Sequence, residues 1–208
     1  MNVKIYIEGG GDNNKLLQIQ CRTGFRQLIE KAGFIGRMPA TVACGGRESA
    51  FNDFKTAVVN SKEDEYVILL VDSEEPISSS DVMPDSNYAW DHLLTRDKWE
   101  RPHGVSADQA QLMVTCMETW IMADRKAMSD IFGAQLQMSA LLPENNLEIR
   151  PRHEVQDKLA HATRDCGKDR TYTKGKRSFM IIGKLNPETL KAHLPYFRRF
   201  IETLEQHL

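Results

Sequence analysis

YVILLVDSE, residues 66–74, is the most informative segment of the chain. Its first six residues are apolar or aromatic without interruption, and charged residues lie on both sides of the run. A strand that is buried on both faces of a parallel sheet has this continuous pattern, because helices cover both faces. The segment therefore predicts a central strand that ends where Asp72, Ser73 and Glu74 begin.

Shorter strands and helices alternate on the N-terminal side of this segment. Strands are predicted at residues 3–7 (VKIYI) and 39–44 (PATVAC), and apolar residues at helical spacing predict helices at 25–32 and 50–58. Strand, helix, strand, helix, strand at these intervals indicates right-handed βαβ units and a parallel sheet. We therefore predict an α/β, Rossmann-like fold, with a mostly parallel sheet flanked by helices.

The chain beyond this segment is predicted in less regular pieces. Residues 77–108 lack periodicity and predict a long irregular excursion, whereas 110–116 predict a fourth strand and 117–132 a helix. Further helices are predicted at 152–166 and from Pro187 to the C-terminus.

The length of 208 residues fits one large domain, and 41% hydrophobic residues are enough for a sizeable core. No stretch rich in Pro, Gly or Ser divides the chain. We predict an α/β core at residues 1–135 and a helical C-terminal extension at 136–208 that packs on it, within a single domain overall.

Charge and cysteine usage restrict the class of protein. The formal net charge of -2 excludes a uniformly basic coat for nucleic acid, although a local basic patch remains open. The N-terminus has no signal-peptide pattern, and no apolar run approaches the ~20 residues of a membrane span. The four cysteines are far apart, without metal-binding spacing. We expect a cytoplasmic protein with reduced thiols and no membrane partner; the oligomeric state is left open.

Acidic residues follow two of the predicted strands. Glu8 comes after the first strand, and Asp72 and Glu74 come after the third. Because the carboxyl ends of parallel strands meet at one edge, these carboxylates are expected to converge, with Asp72 and Glu74 on the same side by alternation. Mg²⁺ or Mn²⁺ would relieve their mutual repulsion, and Gly9–Gly11 would let a phosphate approach closely. The alternative is that the strands end in acidic residues simply because the chain reaches water there.

Two further segments are candidate sites. A helix that starts after the fourth strand would aim Glu118 at the same edge. The alternative is that Glu118 is simply a glutamate in the first turn of a helix, where the helix dipole favours a negative charge. Asp124 is expected to be structural or capping. The second segment is a basic loop that could contact nucleic-acid phosphates or simply be solvated. Its candidate nucleic-acid-binding residues are Arg170, Tyr172, Lys174, Lys176 and Arg177.

Several of these segments carry a family resemblance. IYIEGGGD (5–12) followed by VILLVDSEEP (67–76) resembles the Toprim pattern of topoisomerases, primases and nucleases of the overcoming-lysogenization-defect (OLD) type. More narrowly, the chain is similar to a bacterial Toprim-like family named only as domain of unknown function 4276. That likeness is carried by the first segment together with VACGGR, LLVDSEEP, CMETWIMAD and YTKGKRSF.

The Toprim resemblance implies roles for individual residues. Glu8, Asp72 and Glu74 would be the catalytic metal ligands, with Glu8 as general acid/base in an alternative assignment. Asp12 would be a second-shell or second-metal ligand, and Glu118 joins the candidate metal ligands. The usual second acid of the pair is Asp, and here it is Glu74, whose longer side chain would shift the metal.

The same resemblance implies a function. We expect a Mg²⁺-dependent Toprim-type nuclease, or nuclease-like effector, that cuts DNA or RNA in anti-phage defence with an SMC- or OLD-like ATPase as partner. The main alternative is a catalytically degenerate Toprim domain that acts as a nucleic-acid-binding or regulatory subunit. A phosphoacceptor or nucleotide-binding domain that uses Asp72 is a third reading, but a second acid after strand one and a downstream Lys partner are missing.

Overall fold

The structure is a computed structural model that describes residues 1–77, 87–167 and 171–208. These residues form one four-stranded sheet with the strand order β2-β1-β3-β4, and each neighbouring pair is parallel. The strands are β1 (Asn2–Ile7), β2 (Ala40–Ala43), β3 (Glu65–Asp72) and β4 (Ala110–Met113). The predicted α/β fold with a parallel sheet is confirmed.

Helices cover both faces of this sheet. In chain order they are α1 (Lys15–Ile29), α2 (Arg47–Val59), α3 (Tyr88–Asp97), α4 (Met117–Ala123), α5 (Arg125–Phe132), α6 (Arg152–Thr163), α7 (Lys176–Ile182), α8 (Pro187–His193) and α9 (Pro195–His207). Within the described residues, no helix is both long and apolar enough to cross a membrane.

The continuous apolar run of β3 serves two cores. Ile68 and Leu70 point into one core, and Val67, Leu69 and Val71 point into the other, because successive strand residues face opposite sides. The larger core lies against α1 and the helices from α4 onward, and the smaller core lies against α2 and α3.

The larger core contains residues from both predicted parts of the chain, the α/β core at 1–135 and the C-terminal extension at 136–208. The indole of Trp120 on α4 packs edge-on against the ring of Phe197 on α9, with 4.8 Å between centroids, and against Phe25 on α1 at 6.1 Å. Helices from the last third of the chain therefore complete the hydrophobic cover of the sheet.

The irregular excursion predicted for residues 77–108 is wrong in part, because α3 lies inside it. Trp90 on α3 is buried against Phe54, and Trp99 stacks on Phe51 with 4.2 Å between ring centroids. Tertiary packing of these aromatic residues stabilises a helix whose sequence lacks clear periodicity.

Two predicted helices are each divided in the structure. The helix predicted for residues 117–132 breaks at Asp124, whose Oδ1 accepts the Ala127 N–H at 3.0 Å and so caps α5. The expected capping role of Asp124 is confirmed. The C-terminal helix breaks at Leu194, because a residue that precedes a proline disfavours the helical conformation.

The strand order creates a crevice beside the sheet. The connection after β1 leads to β2 on one side, whereas β3 and β4 lie on the other side. Ligands of open parallel sheets bind at such a switch point, outside the carboxyl ends of the strands. Glu8 and Asp72 end the two strands that flank it.

Candidate functional site

A cavity of about 280 Å³ lies at this switch point, beyond the carboxyl ends of β1 and β3. Ligand pockets typically hold ~300–1,000 Å³, so the cavity is at the lower end of this range and has room for a hydrated ion together with a phosphate group. Its lining residues come from the two strand ends, the glycine turns, α1, α4, the segment before α7 and α7 itself: Glu8, Gly9, Gly10, Gly11, Asp12, Leu17, Gly45, Gly46, Asp72, Met117, Lys174, Gly175 and Phe179.

Glu8 and Asp72 are linked directly. Oε2 of Glu8 accepts the backbone N–H of Asp72 at 3.1 Å, and Oδ1 of Asp72 accepts the N–H of Met117 at 2.9 Å. The Asp72 residue is only 5% exposed. Among the described residues, Oε1 of Glu8 and Oδ2 of Asp72 receive no hydrogen bond, so each carboxylate keeps one oxygen for a ligand.

The surroundings disfavour the charged form of both carboxylates. Burial raises the pKa of Glu8, against the opposing effect of Arg47. Burial also raises the pKa of Asp72 well above its ordinary value, and the charges of Glu8 and Glu118 raise it further. Lys174 is close enough to oppose both shifts. A bound cation would remove this penalty.

The glycine turns bring two backbone segments into contact at the mouth of the cavity. Gly9 and Gly45 exchange backbone hydrogen bonds of 2.8 and 2.9 Å. Gly10 has φ +91°, and a Cβ there would lie 2.8 Å from the Cα of Gln18 on α1. These positions require glycine because both the backbone conformation and the contact exclude a side chain.

Asp12 lies at the cavity wall, but its carboxylate is engaged elsewhere. Oδ1 accepts the N–H of Gly46 and the hydroxyl of Ser49, both at 2.7 Å. These two hydrogen bonds lower the pKa of Asp12. Asp12 therefore holds the glycine loop against the start of α2, and its expected role at a metal remains a prediction.

Arg47, which follows Gly45 and Gly46 at the start of α2, was not among the candidate site residues predicted from the sequence. Its guanidinium lies 3.4 Å from Oε2 of Glu8 and donates to the carbonyl of Asp72. The same group holds Asp97 with two hydrogen bonds of 3.1 and 2.7 Å. Arg47 thus fixes the orientation of Glu8 and connects it to α3.

Glu74 does not line the cavity with Glu8 and Asp72, although its charge raises the pKa of Glu8, and its expected role as a metal ligand remains a prediction. The strand ends at Asp72, and Glu74 adopts the left-handed conformation with φ 63°, which ends the alternation of side chains. Its carboxylate forms ion pairs with Arg96 and Arg152. In the part of the chain that the structure describes, no three His, Cys, Asp or Glu side chains are grouped to hold a metal.

Glu118 is fully buried one residue beyond Met117. Its Oε1 accepts the hydroxyl hydrogen of Tyr172 at 2.7 Å, and its Oε2 accepts from Nε2 of Gln156 at 3.4 Å. Glu118 acts on Asp72 through its charge but does not line the cavity. It connects α4 to the basic loop.

The basic loop divides into residues with different surroundings. Tyr172 is buried, and its hydroxyl contacts Ser178 at 2.8 Å as well as Glu118, so in this structure the ring has no face free to stack on a base. Lys174 is exposed and lines the cavity, whereas Lys176 lines a separate depression between α1 and α7.

Arg177 and Arg170 are the remaining nucleic-acid-binding candidates of the basic loop. Arg177 is half-buried and already has interaction partners, and the candidate Arg170 lies outside the described residues. Of the loop candidates that the structure describes, Lys174 is the one that lines the cavity with Glu8 and Asp72.

Comparison with known proteins gives one match. Residues 7–205 match a family model described as "Domain of unknown function (DUF4276)". No curated protein and no solved structure matches the chain. The matched range includes both strand-end carboxylates, the glycine turns and the segment that carries Lys174.

Proposed function

The chain belongs to the DUF4276 family, and we propose that it is a divalent-cation-dependent phosphodiesterase acting on nucleic acid. One observation carries this proposal: two buried carboxylates, Glu8 and Asp72, each with an oxygen that receives no hydrogen bond from the described residues, meet at a small cavity at the switch point. The proposal deepens the family assignment, whose description states no activity.

The donor set fits Mg²⁺ or Mn²⁺. Mg²⁺ in proteins commonly binds one or two carboxylates and completes its octahedron with waters and phosphate oxygens. Glu8 and Asp72 supply two carboxylates, and the cavity has room for the other ligands. Because burial raises both pKa values, and the charge of Glu8 raises that of Asp72 further, a divalent cation stabilises this pair more than it would an exposed pair.

The side chains around the cavity have separate tasks in this proposal. A cation held by Glu8 and Asp72 would supply Lewis-acid activation of a water or hydroxyl and of the phosphoryl group. Lys174, which lines the same cavity, neutralises a phosphate oxygen, and Arg47 holds Glu8 in position. The raised pKa of Glu8 also suits it to carry a proton during the reaction, as in the alternative assignment of this residue.

The wider setting rests on the Toprim resemblance of the two strand-end motifs. From it we propose that the protein is a Toprim-type nuclease or effector in anti-phage defence, and that its partner is an SMC- or OLD-like ATPase. A pull-down with the neighbouring gene products tests this part independently of the active site.

The activity is tested with purified protein, Mg²⁺ or Mn²⁺, and plasmid DNA or tRNA as substrate. Wild-type protein is expected to cleave, and Glu8→Gln or Asp72→Asn to abolish cleavage and weaken Mn²⁺ binding measured by calorimetry. The exposed Glu75→Gln is the matched control, because it removes the same charge outside the cavity. Equal inertness of wild type and both variants, with the ATPase present, would contradict an enzymatic function.

A second candidate is a nucleic-acid-binding or regulatory subunit without catalysis. It is favoured by the ion pairs of Glu74, which hold this carboxylate away from the cavity that Glu8 and Asp72 line. This candidate predicts retained nucleic-acid binding in protein that neither cleaves nor binds Mn²⁺.

A further inference from the structure

A chain of ion pairs leads away from the cavity along the ends of the strands. Its members alternate in sign, and each contacts the next through a salt bridge: Glu8, Arg47, Asp97, Arg96, Glu74 and Arg152. The inner end of this chain is a carboxylate at the cavity. The outer end is a guanidinium, so the chain has a cationic terminus close to the carboxylate pair.

At the outer end, one carboxylate serves two guanidiniums. Glu74 is the only acidic partner of Arg152 among the described residues. Arg96 also contacts Asp97, but Arg47 already holds that carboxylate with two hydrogen bonds. This end therefore has more positive than negative charge. Two converging guanidiniums are an arrangement that recognises phosphate as well as carboxylate.

The outer end is also accessible and mildly strained. The side chains of Arg152, Arg96 and Glu74 are 37%, 24% and 21% exposed, in contrast to the buried Asp72. Glu74 is in the left-handed conformation, which is unfavourable for a residue other than glycine. Because both guanidiniums are accessible, an incoming phosphate can compete with the Glu74 carboxylate for the same donors.

We propose that Arg96 and Arg152 form a phosphate-binding site and that Glu74 occupies it as an internal substitute for phosphate. A phosphodiester of a nucleic-acid strand displaces the Glu74 carboxylate when an adjacent part of the strand enters the cavity. That the displacing phosphodiester belongs to a nucleic-acid strand rests on the proposed function. Because the α-carbons of Asp72 and Glu74 are at most about 7 Å apart, one strand reaches both sites.

This assignment predicts that neutralising Glu74 strengthens nucleic-acid binding, whereas neutralising a metal ligand would weaken metal binding. Glu74→Gln keeps the shape of the side chain but removes its charge, so both arginines become available to phosphate. Fluorescence anisotropy in EDTA measures the effect, with labelled single-stranded DNA and RNA of the same sequence as probes. We expect Glu74→Gln to bind about 3- to 10-fold more tightly than wild type. The two probes show which polymer is preferred.

Glu75→Gln is the matched control for this variant. It removes the same charge from the neighbouring residue, which is exposed and forms no ion pair among the described residues. Affinity for the probe is expected to stay within about twofold of wild type. If Glu75→Gln tightens binding as much as Glu74→Gln does, net charge explains the effect and the inference is overturned.

A second variant tests the site without altering Glu74. Arg152→Gln is expected to weaken probe binding about 3- to 10-fold and to make its salt dependence shallower. Arg26→Gln is the control, because Arg26 forms a surface ion pair with Glu30 on α1. Unchanged binding by Arg152→Gln, or no binding by any variant including Glu74→Gln, would overturn the inference.

These measurements remain separate from the test of the proposed function. Binding in EDTA needs neither cleavage nor metal, so a Glu74 effect in a protein without nuclease activity would retain the phosphate site and reject only the activity. Conversely, loss of cleavage in Asp72→Asn together with an unchanged Glu74→Gln affinity would reject only the phosphate site.

Discussion

Asp72 and Glu74 are two residues apart and carry the same formal charge, yet their surroundings are opposite. Asp72 is buried beside Glu8 and Glu118, and together these surroundings raise its pKa well above the ordinary value. Glu74 is partly exposed and lies between two arginines. A carboxylate in the first environment gains most from a cation, whereas the second environment offers a place for an anion.

The difference arises from one change of backbone direction. Asp72 is the last residue of β3 and still pairs with β4, whereas Glu74 has left the strand and donates its N–H to the carbonyl of Thr115. Its left-handed conformation directs the side chain toward α3 and α6 instead of the cavity. Local geometry thus places one of two similar acids at the cavity and the other between two arginines.

The largest expected effect separates the two acids by metal affinity. Asp72→Asn is expected to weaken Mn²⁺ binding by at least about 100-fold, because it removes one of two charged ligands. Glu74→Gln is expected to leave Mn²⁺ affinity within about threefold. Isothermal titration calorimetry measures both. A large loss of affinity in Glu74→Gln would return this residue to the metal site and end the comparison.

The next effect concerns the cation at the cavity wall. Lys174→Ala is expected to lower the rate of cleavage about tenfold, or ~1.4 kcal/mol, because Lys174 is the basic-loop residue that lines the carboxylate cavity. Lys176→Ala, in a separate depression, is expected to cause a loss of at most about threefold. Single-turnover rates with excess enzyme measure both variants. Equal losses would show that the loop acts only through its total charge.

In EDTA, Asp72→Asn and Glu74→Gln are expected to change the free energy of unfolding in opposite directions. Asp72→Asn removes a buried charge while its amide oxygen can still accept from Met117, so the free energy of unfolding should rise by about 1–2 kcal/mol. Glu74→Gln leaves two arginines without their carboxylate and should lower it by about 1 kcal/mol. Urea denaturation measures the change, with Glu75→Gln as control. Destabilisation by both variants would contradict the electrostatic difference described between the surroundings of Asp72 and Glu74.

The smallest effect is a pH dependence. Because the pKa of Asp72 is raised on folding, the folded state binds more protons, and raising the pH above its ordinary value of 3.8 should lower the free energy of unfolding. Asp72→Asn should flatten this decrease, and so should saturating Mg²⁺ in the wild-type protein. Denaturation across the range from pH 4 to pH 9 measures it, in EDTA for the metal-free proteins and in excess Mg²⁺ without EDTA for the metal-saturated wild type.

Two other carboxylates contribute a decrease of the same sign: Glu8, which is common to the proteins compared, and Glu148. Burial raises the pKa of Glu148 from its ordinary value of 4.5 to about 8, so it contributes a decrease of the same sign over that interval. The comparison is therefore made in a Glu148→Gln background. An identical pH dependence with and without Asp72→Asn in this background would contradict the assigned pKa shift.

The strands were predictable because burial on both faces imposes an apolar pattern that is local in sequence. The long run of β3, the breaks at Glu8 and Asp72 and the parallel order of the sheet all follow from it. The helix α3 and the breaks at Asp124 and Leu194 were missed, since these depend on aromatic packing and on single turns.

The candidate site was only partly predictable, because local sequence patterns indicate strand ends but not contacts between distant residues. Glu8 and Asp72 meet because strand order brings two strand ends together, and sequence pattern indicates strand ends well. The partners of Glu74 come from α3 and α6, which are 22 and 78 residues away in the chain. No spacing rule connects positions that distant, so the ion pairs of Glu74 with two arginines could not be predicted from the sequence.

The sequence by itself determined the alternation of strands and helices and the position of acidic residues at two strand ends, because hydrophobic periodicity and chain breaks are encoded locally. Tertiary structure alone decided which charges meet. It placed Arg47 against Glu8, Lys174 at the cavity, and Arg96 and Arg152 against Glu74. Electrostatic energies depend on distance and burial in three dimensions, and these quantities exist only once the chain has folded.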